Sequence, residues 1–308
     1  MTSAAMRPFV EIAEADADPE TAERLSNLIC ELFSGRGLVI SAREGRNGLW
    51  RIKVILPPGE AWAAIEQLLA ELSPAPLPRF TLRRLDREAW LHAPRPALAP
   101  VRAGRFFVHD RRHRPAAGGV SIEIEAGLAF GTGHHATTAG CLMALDRALK
   151  QRRFKNGLDL GCGTAILAIA AAKAARAQVA ASDIDPVAIA VARENAARNA
   201  VLPLVAFSRA EGLRDAGLAA RAPFDLVMAN ILAEPLERFA QALAGVAAPG
   251  ACVILSGLLT RQAARVAARY RNAGFVLQGR LVIKEWATLT FVRGRHGAFS
   301  GKVGTGFP

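Results

Sequence analysis

Three stretches of the 308-residue chain carry residue types that could do chemistry together. The first is Asp159-Leu160-Gly161-Cys162-Gly163-Thr164-Ala165, set between a strand-like run and an apolar helix-like run. Glycines let a backbone turn tightly and approach a ligand closely, and a helix starting just after such a turn offers unpaired N–H groups. By itself a G-x-G turn also fits a purely structural connector. The second stretch supplies context. Asp183 stands 22 residues after Gly161, at the end of the next strand-like run, where a carboxylate can accept hydrogen bonds from ribose hydroxyls. Asp185 precedes Pro186 and is placed to cap the following helix or to make a secondary contact. The third is Met228-Ala229-Asn230-Ile231-Leu232-Ala233-Glu234-Pro235-Leu236, at the carboxyl end of another strand. Ligands of open α/β sheets bind at that end. The amide oxygen of Asn230 can accept a hydrogen bond from an amine there, although an asparagine closing a strand in a turn is also common.

Two dinucleotide features are missing. The third glycine of G-x-G-x-x-G is replaced, and the chain ends its sheet on a hairpin rather than a second mononucleotide-binding half. A cofactor without a pyrophosphate is therefore expected, and S-adenosylmethionine meets the pattern. Its adenosine needs a carboxylate, supplied by Asp183. Its zwitterionic methionine end can lie along Gly161 and Gly163. Asp159 is placed to meet the amino or sulfonium end, with helix capping as its other reading. The Pro-Pro-aromatic that follows Asn or Asp in amino-N methyltransferases is absent after Asn230, which disfavours stacking of a nucleobase.

The segment Ala129–Thr138, AFGTGHHATT, draws attention through His134 and His135. Adjacent histidines point apart, and His92, His109, His113 and His296 show no i, i+4 partner, so no metal site is expected. Cys141 and Cys162 lack a consistent histidine partner and read as small packing residues. The four cysteines form no CxxC pair, which excludes a zinc knuckle or disulfide framework and suits a reducing compartment.

These residues need elements to position them. From about Arg102 strands and helices alternate. Gly157–Gly161 reads as a strand, Ala165–Arg176 a helix, Gln178–Ile184 a strand and Pro186–Asn199 a helix. Phe224–Ile231 follows as a strand, Pro235–Ala247 as a helix, Ala251–Leu255 as a strand and Arg261–Arg271 as a helix. Phe275–Ile283 and Trp286–Val292 close the run as an antiparallel hairpin. The alternation predicts a parallel, doubly wound α/β sheet. Residues 1–80 read as a small α+β unit, with helices over Thr21–Phe33 and Ala61–Leu72 and a strand over Leu49–Leu56. The expected organisation is the small α+β unit at 1–80, a linker at 81–101 holding a short helix in LDREAWLHA, the doubly wound unit at 102–293 and a disordered tail at 294–308.

The net charge of +12 is unevenly placed. Residues 1–80 carry 8 Lys+Arg against 11 Asp+Glu, and residues 81–115 carry 9 against 3. A mildly acidic first unit suits a basic protein partner better than a phosphate backbone. The N-terminus lacks the basic and apolar regions of a secretory signal, and no apolar run reaches membrane-spanning length. A cytoplasmic protein is expected, with no membrane partner, no direct nucleic-acid specificity and a monomeric state.

With these pieces in place, the chain resembles the PrmA family, the methyltransferases of ribosomal protein L11. The resemblance rests on Ala129–Thr138 followed by Cys141-Leu142, Leu160–Gly163, Ile166–Ala170 and Asp183–Pro186. It continues in Asn195-Ala196 with Asn199, and in Asn230–Ala233 with Pro235-Leu236. It spans most of residues 100–292. It implies a small ferredoxin-like N-terminal domain that binds the ribosomal substrate, L11 free or in the ribosome, and a Rossmann-like S-adenosylmethionine-dependent methyltransferase domain. By matching position it carries cofactor contacts onto Thr138, Gly161, Asp183 and Asn230. Phe130 and Gly131 then shape the wall of a loop over the methionine end. The family's Gly-Cys-Gly-Ser-Gly reads Gly161-Cys-Gly-Thr-Ala165 here, and the added methyl should leave cofactor binding intact. The implied reaction is methyl transfer to lysine or N-terminal amines, with Asn230 and the Ile231 carbonyl orienting the amine and His135 either relaying a proton or bracing the loop. Methylation of RNA or DNA, or a non-catalytic ribosome-binding role, are the alternatives.

Overall fold

In the first unit, Met1–Pro96, helices and strands alternate as β1 (Phe9–Ala17), α1 (Pro19–Leu32), β2 (Val39–Glu44), β3 (Trp50–Leu56), α2 (Trp62–Leu72) and β4 (Thr81–Asp86). The computed structural model describes residues 9–33, 38–56, 60–73, 75–86, 100–113, 118–124 and 136–294. The four strands form an antiparallel sheet in the order β2-β3-β1-β4, the β-α-β-β-α-β element order of a split β-α-β unit. Asp18 caps α1 by accepting from Thr21 N at 2.9 Å, and Pro19 follows in the favoured first position. Leu25 and Ile29 of α1 and Ile65 and Leu69 of α2 bury themselves in one core with Ile52 and Val54 of β3. Directly opposed pairs on β1 and β3, Asp16 with Arg51 and Glu14 with Lys53, form ion pairs.

The expected boundary at residue 80 moves. Thr81–Asp86, assigned from sequence to the linker, is a strand hydrogen-bonded along β1. Its side chains are almost all exposed, so an edge strand held by backbone bonds left no apolar signature to read. Of the helix expected in LDREAWLHA, Leu85 and Asp86 belong to this strand, and the remainder lies outside the described residues.

The second unit, Ala97–Pro308, begins with a small sheet of β5 (Val101–Ala103), β6 (Phe106–His109) and β7 (Val120–Glu123), which the sequence reading did not separate. It is fixed to α3 (Ala136–Gln151) by Arg105, whose Nε donates to the buried Asp146 at 2.5 Å. Then follow β8 (Asn156–Leu160), α4 (Ile166–Ala175), β9 (Gln178–Asp183), α5 (Pro186–Arg198), β10 (Val205–Arg209), α6 (Ala216–Ala219), β11 (Phe224–Asn230), α7 (Ala233–Val246), β12 (Ala247–Leu259), α8 (Ala263–Asn272), β13 (Phe275–Ile283) and β14 (Trp286–Arg293). The seven strands lie in the order β10-β9-β8-β11-β12-β14-β13. Neighbours from β10 to β12 are parallel, and β14 joins β12 and β13 antiparallel. The doubly wound sheet and closing hairpin expected from sequence are both present.

Two cores flank this sheet. One gathers α3, α4 and α5 with the small sheet, the other α7 and α8. Helix α4, ILAIAAAKAA, has seven of its ten residues buried, as expected of a helix apolar on most sides. Strands β9 and β10 build out from one side of β8, and β11 and β12 from the other. The topological switch point therefore lies between β8 and β11, where their carboxyl ends separate diverging connections. Among the described residues no helix is long and apolar enough to cross a membrane. The tail expected at 294–308 lies outside the described residues beyond Gly294.

Packing of α3 on the sheet generates a prediction. A Cβ on Gly140 would run into Oγ1 and Cβ of buried Thr288 on β14. Alanine would gain about 1 kcal/mol of helix propensity, but overpacking typically costs about 1–3 kcal/mol. Gly140→Ala should therefore lower the urea midpoint. A midpoint at or above that of the parent would show that α3 can move off the strand without loss.

Candidate functional site

The chain leaves β8 through a turn built on left-handed residues: Gly161 (φ 69°), Gly163 (φ 53°) and Ala165 (φ 61°). Backbone N–H groups of Gly161 and Cys162 both donate to the Ser182 carbonyl on β9, at 2.8 and 2.9 Å. Gly163 N donates to Asp183 Oδ2 at 2.9 Å, and Asp185 N to Asp183 Oδ1 at 3.0 Å. The carboxylate expected to meet a ribose thus also holds the glycine turn in shape. Half-buried Asp183 keeps further acceptor capacity on both oxygens. Asp185 accepts from Val187 N at 2.8 Å and caps α5, one of the two roles expected of it.

Asp159 is placed differently from its first reading. It is 1% exposed, and its Oδ2 accepts from Ala168 N at 2.9 Å, inside the first turn of α4. The structure assigns this oxygen to the helix-capping role rather than to an open ligand surface. Burial pushes the carboxyl up to about 7. The Ala168 hydrogen bond works against this shift, and the Asp183 charge adds to it. Burial likewise raises the thiols of Cys141 and Cys162, each near Asp159. Both are buried packing residues, as the sequence suggested.

Across the switch point, Asn230 ends β11 and its Nδ2 donates to Oγ1 of Thr138 on α3, at 3.2 Å. Two residues read separately from sequence, 92 positions apart, are therefore partners. With its donor engaged there, the Asn230 amide oxygen remains an acceptor. Ile231 lies against the turn. A Cβ on Gly161 would strike its Cγ2, and one on Gly257 (φ 85°) would strike its backbone N, C and O. Beneath Asn230, Ser256 is its registered neighbour on β12 and bonds Thr288 Oγ1 at 2.9 Å and the Ala287 carbonyl at 3.2 Å.

Phe130, Gly131, His134 and His135 lie outside the described residues, as do His92 and His296. The two described histidines serve the small sheet. His109 contacts Ser121 Oγ at 2.5 Å and the Asp110 carbonyl at 2.8 Å, and His113 contacts Asp110 Oδ1 at 2.7 Å. Burial works to raise the Asp110 carboxyl, but Arg112 and His113 outweigh it and leave it well below the usual range. Among the described residues no group of three or more His, Cys, Asp or Glu could hold a metal ion.

Sequence reasoning missed the supports. Ser256, Gly257 and Thr288 carried no motif, and the strand β10, whose end adjoins Asp183 through Ala210 N to the Asp183 carbonyl at 2.9 Å, was not recognised.

Comparison with known proteins supplies the remaining context. The profile of the family described as ribosomal protein L11 methyltransferase (PrmA) matches residues 37–294. A ribosomal protein L11 methyltransferase of Bradyrhizobium diazoefficiens is 44% identical over 272 residues, covering 87% of this chain and 92% of that protein. One of Rhizobium etli is 39% identical over 296 residues, covering 94% and 99%. The crystal structure of a ribosomal protein L11 methylase from Lactobacillus delbrueckii subsp. bulgaricus superimposes with a TM-score of 0.58 at 27% identity. That match covers 64% of this chain and 100% of the other.

The buried carboxyl of Asp159 makes stability depend on pH in a definite direction. Between its ordinary 3.8 and about 7 the native state keeps a proton that the unfolded chain has released. The group's contribution to stability therefore falls as pH rises through that interval and levels off above it. In urea titrations across the interval, the stability difference between Asp159→Asn and the parent should shift in favour of the variant as pH rises. A difference independent of pH would return the carboxyl to its ordinary range.

Proposed function

Because the chain belongs to the ribosomal protein L11 methyltransferase (PrmA) family, we propose that it is an S-adenosylmethionine-dependent methyltransferase whose substrates are amino groups of ribosomal protein L11, on lysine side chains or at the N-terminus. The observation that carries this reading is the Asn230–Thr138 pair standing across the switch point from the glycine turn. The donor set fits an adenosine-bearing cofactor. Gly161 and Gly163 adopt left-handed conformations that L side chains rarely take, which lets the backbone turn tightly between β8 and α4. Beside them Asp183 offers a half-buried carboxylate. When bound, S-adenosylmethionine supplies an electrophilic methyl group on a cationic sulfur.

The residues present divide the work. Asp183 holds ribose hydroxyls with the lone pairs that Gly163 and Asp185 leave free, and Thr138, fully buried on α3 rather than open to a ligand, braces Asn230 at the methionine end. Asn230 Oδ1 and the Ile231 carbonyl accept the N–H groups of the incoming amine and aim its lone pair. A lysine ammonium, with an ordinary pKa of roughly 10.4, must first lose a proton. A site that removes the ammonium from water and sets it near a fixed positive charge favours that loss. Beyond this the protein need only align the reactants, and alignment can lower a barrier by roughly 7–11 kcal/mol.

Purified protein given labelled cofactor and undermethylated large-subunit components should place the label on L11, with intact mass reporting the number of methyl groups. Label found only on ribosomal RNA would favour the nucleic-acid reading, and none on any component would favour the non-catalytic one. Asp183→Ala should abolish cofactor binding measured by calorimetry. Asn230→Ala should bind cofactor within a few fold of the parent while turnover drops by roughly 10²-fold. Near-normal affinity in the first variant, or unchanged turnover in the second, would remove that residue from the site.

A further inference from the structure

Helix α5 carries two buried asparagines one turn apart, Asn195 and Asn199. Asn195 Nδ2 donates to the Thr164 carbonyl at 3.1 Å, inside the glycine turn. Asn199 closes α5, and its side-chain amide is fully used. Its Nδ2 donates to the Asn195 carbonyl at 2.9 Å and to the Glu123 carbonyl at 2.6 Å. Its Oδ1 accepts from Glu123 N at 3.0 Å and from Lys173 Nζ at 3.1 Å. The exchange with both backbone groups of Glu123 copies a strand partner and covers the open edge of β7, the outer strand of the small sheet. Lys173 sits near the end of α4, the helix that starts from the turn. The asparagine pair therefore reaches Thr164 in the glycine turn, the last turn of α4 and the strand β7.

We infer that Asn195 and Asn199 are positioning residues acting as one unit: they set the shape of the glycine turn and make that shape depend on the docking of β7. The inference rests on reading the turn as the cofactor site. Neither side chain needs to touch the cofactor. Burial makes the arrangement costly to disturb. Loss of the Asn199 amide would leave the backbone N–H and carbonyl of half-buried Glu123 without that partner and take one acceptor from the half-buried Lys173 ammonium, while the Asn195 carbonyl would keep only the Asn199 backbone N–H at 3.1 Å. The burial that already lowers the Lys173 pKa, against the opposing pull of Glu123, would then act on an ammonium with one partner fewer.

The experiment pairs calorimetry of S-adenosylhomocysteine binding with amide exchange in the protein alone. Asn199→Ala should weaken binding by about five- to tenfold. It should also speed exchange at Ile124, whose N–H bonds His109, and at Gly163 and Ala165 in the turn. Asn195→Ala should weaken binding similarly, and the double variant should fall short of the product of the two single effects. Asn156→Ala is the control, since its amide bonds the Arg221 and Pro223 carbonyls at the opposite end of the strands. It should lower the melting temperature and leave affinity unchanged. The inference is overturned if Asn199→Ala behaves as Asn156→Ala does, or if exchange rises at Ile124 and not in the turn. Should the parent chain fail to bind the probe, the functional reading falls, and the exchange data still decide whether β7 and the turn are coupled.

Discussion

Ile231 sits where two halves of a sheet converge. Its side chain fills the space in front of Gly161 and its backbone the space in front of Gly257, so a single methyl at either glycine would push β8, β11 or β12 aside. This close approach fixes the distance between the turn after β8 and the end of β11. Asn230 is carried by the same strand end, so its position relative to the turn follows from a steric limit, which changes far more steeply with distance than a hydrogen bond does. Thr138 then ties α3 to the arrangement.

Around this contact the polar groups that support the site are buried or, for Asp183, half-buried, and nearly all are matched. Asp183, Asn195, Asn199, Ser256 and Thr288 each spend hydrogen bonds on backbone groups or on one another. Unmatched buried groups cost far more than matched ones return, so such a network specifies one arrangement even where it adds little net stability. Ser182 Oγ is buried without a partner, and Asp159 is the titratable group whose compensation falls short. One N–H bond does not offset full burial, and its carboxyl rises accordingly. The same oxygen orders the first turn of α4. The carboxyl thus trades stability near neutral pH for a fixed helix start next to the glycine turn.

The periodic parts of the second unit were legible in sequence because their burial is one-sided or complete. Runs such as VAASD in β9 and FDLVMAN in β11 alternate with long apolar helices, and their ends fell within a few residues of the reading. Elements whose side chains do not report their pairing were not legible. β4 is an exposed edge strand, β1 is rich in alanine and acidic residues, and β10 is only five residues long. Within the site, sequence distinguished Asp183 from Asp185 because a carboxylate directly before Pro186 has an obvious capping task. It could not tell which way Asp159 points, because a residue just before a tight turn can face either the ligand side or the helix behind it. Asn195 and Asn199 appeared only as part of a family resemblance, since their partners lie 31 and 76 residues away.

Ala165 shows how packing overrides local preference at this site. The family pattern has glycine there, and the sequence reading treated the added methyl as a matter of space. The structure holds Ala165 at φ 61°, where an L-residue costs about 1–2 kcal/mol relative to its ordinary conformation. Ala165 is nevertheless fully buried, its N–H bonded to the Cys162 carbonyl at 2.7 Å and its own carbonyl to Ile169 N at 2.8 Å. Neighbouring Thr164 is held by Asn195. The left-handed turn at this position is thus imposed by the bonds around it rather than by the freedom of a glycine. A cofactor-facing surface formed in this way depends on residues such as Asn195 that stand behind it.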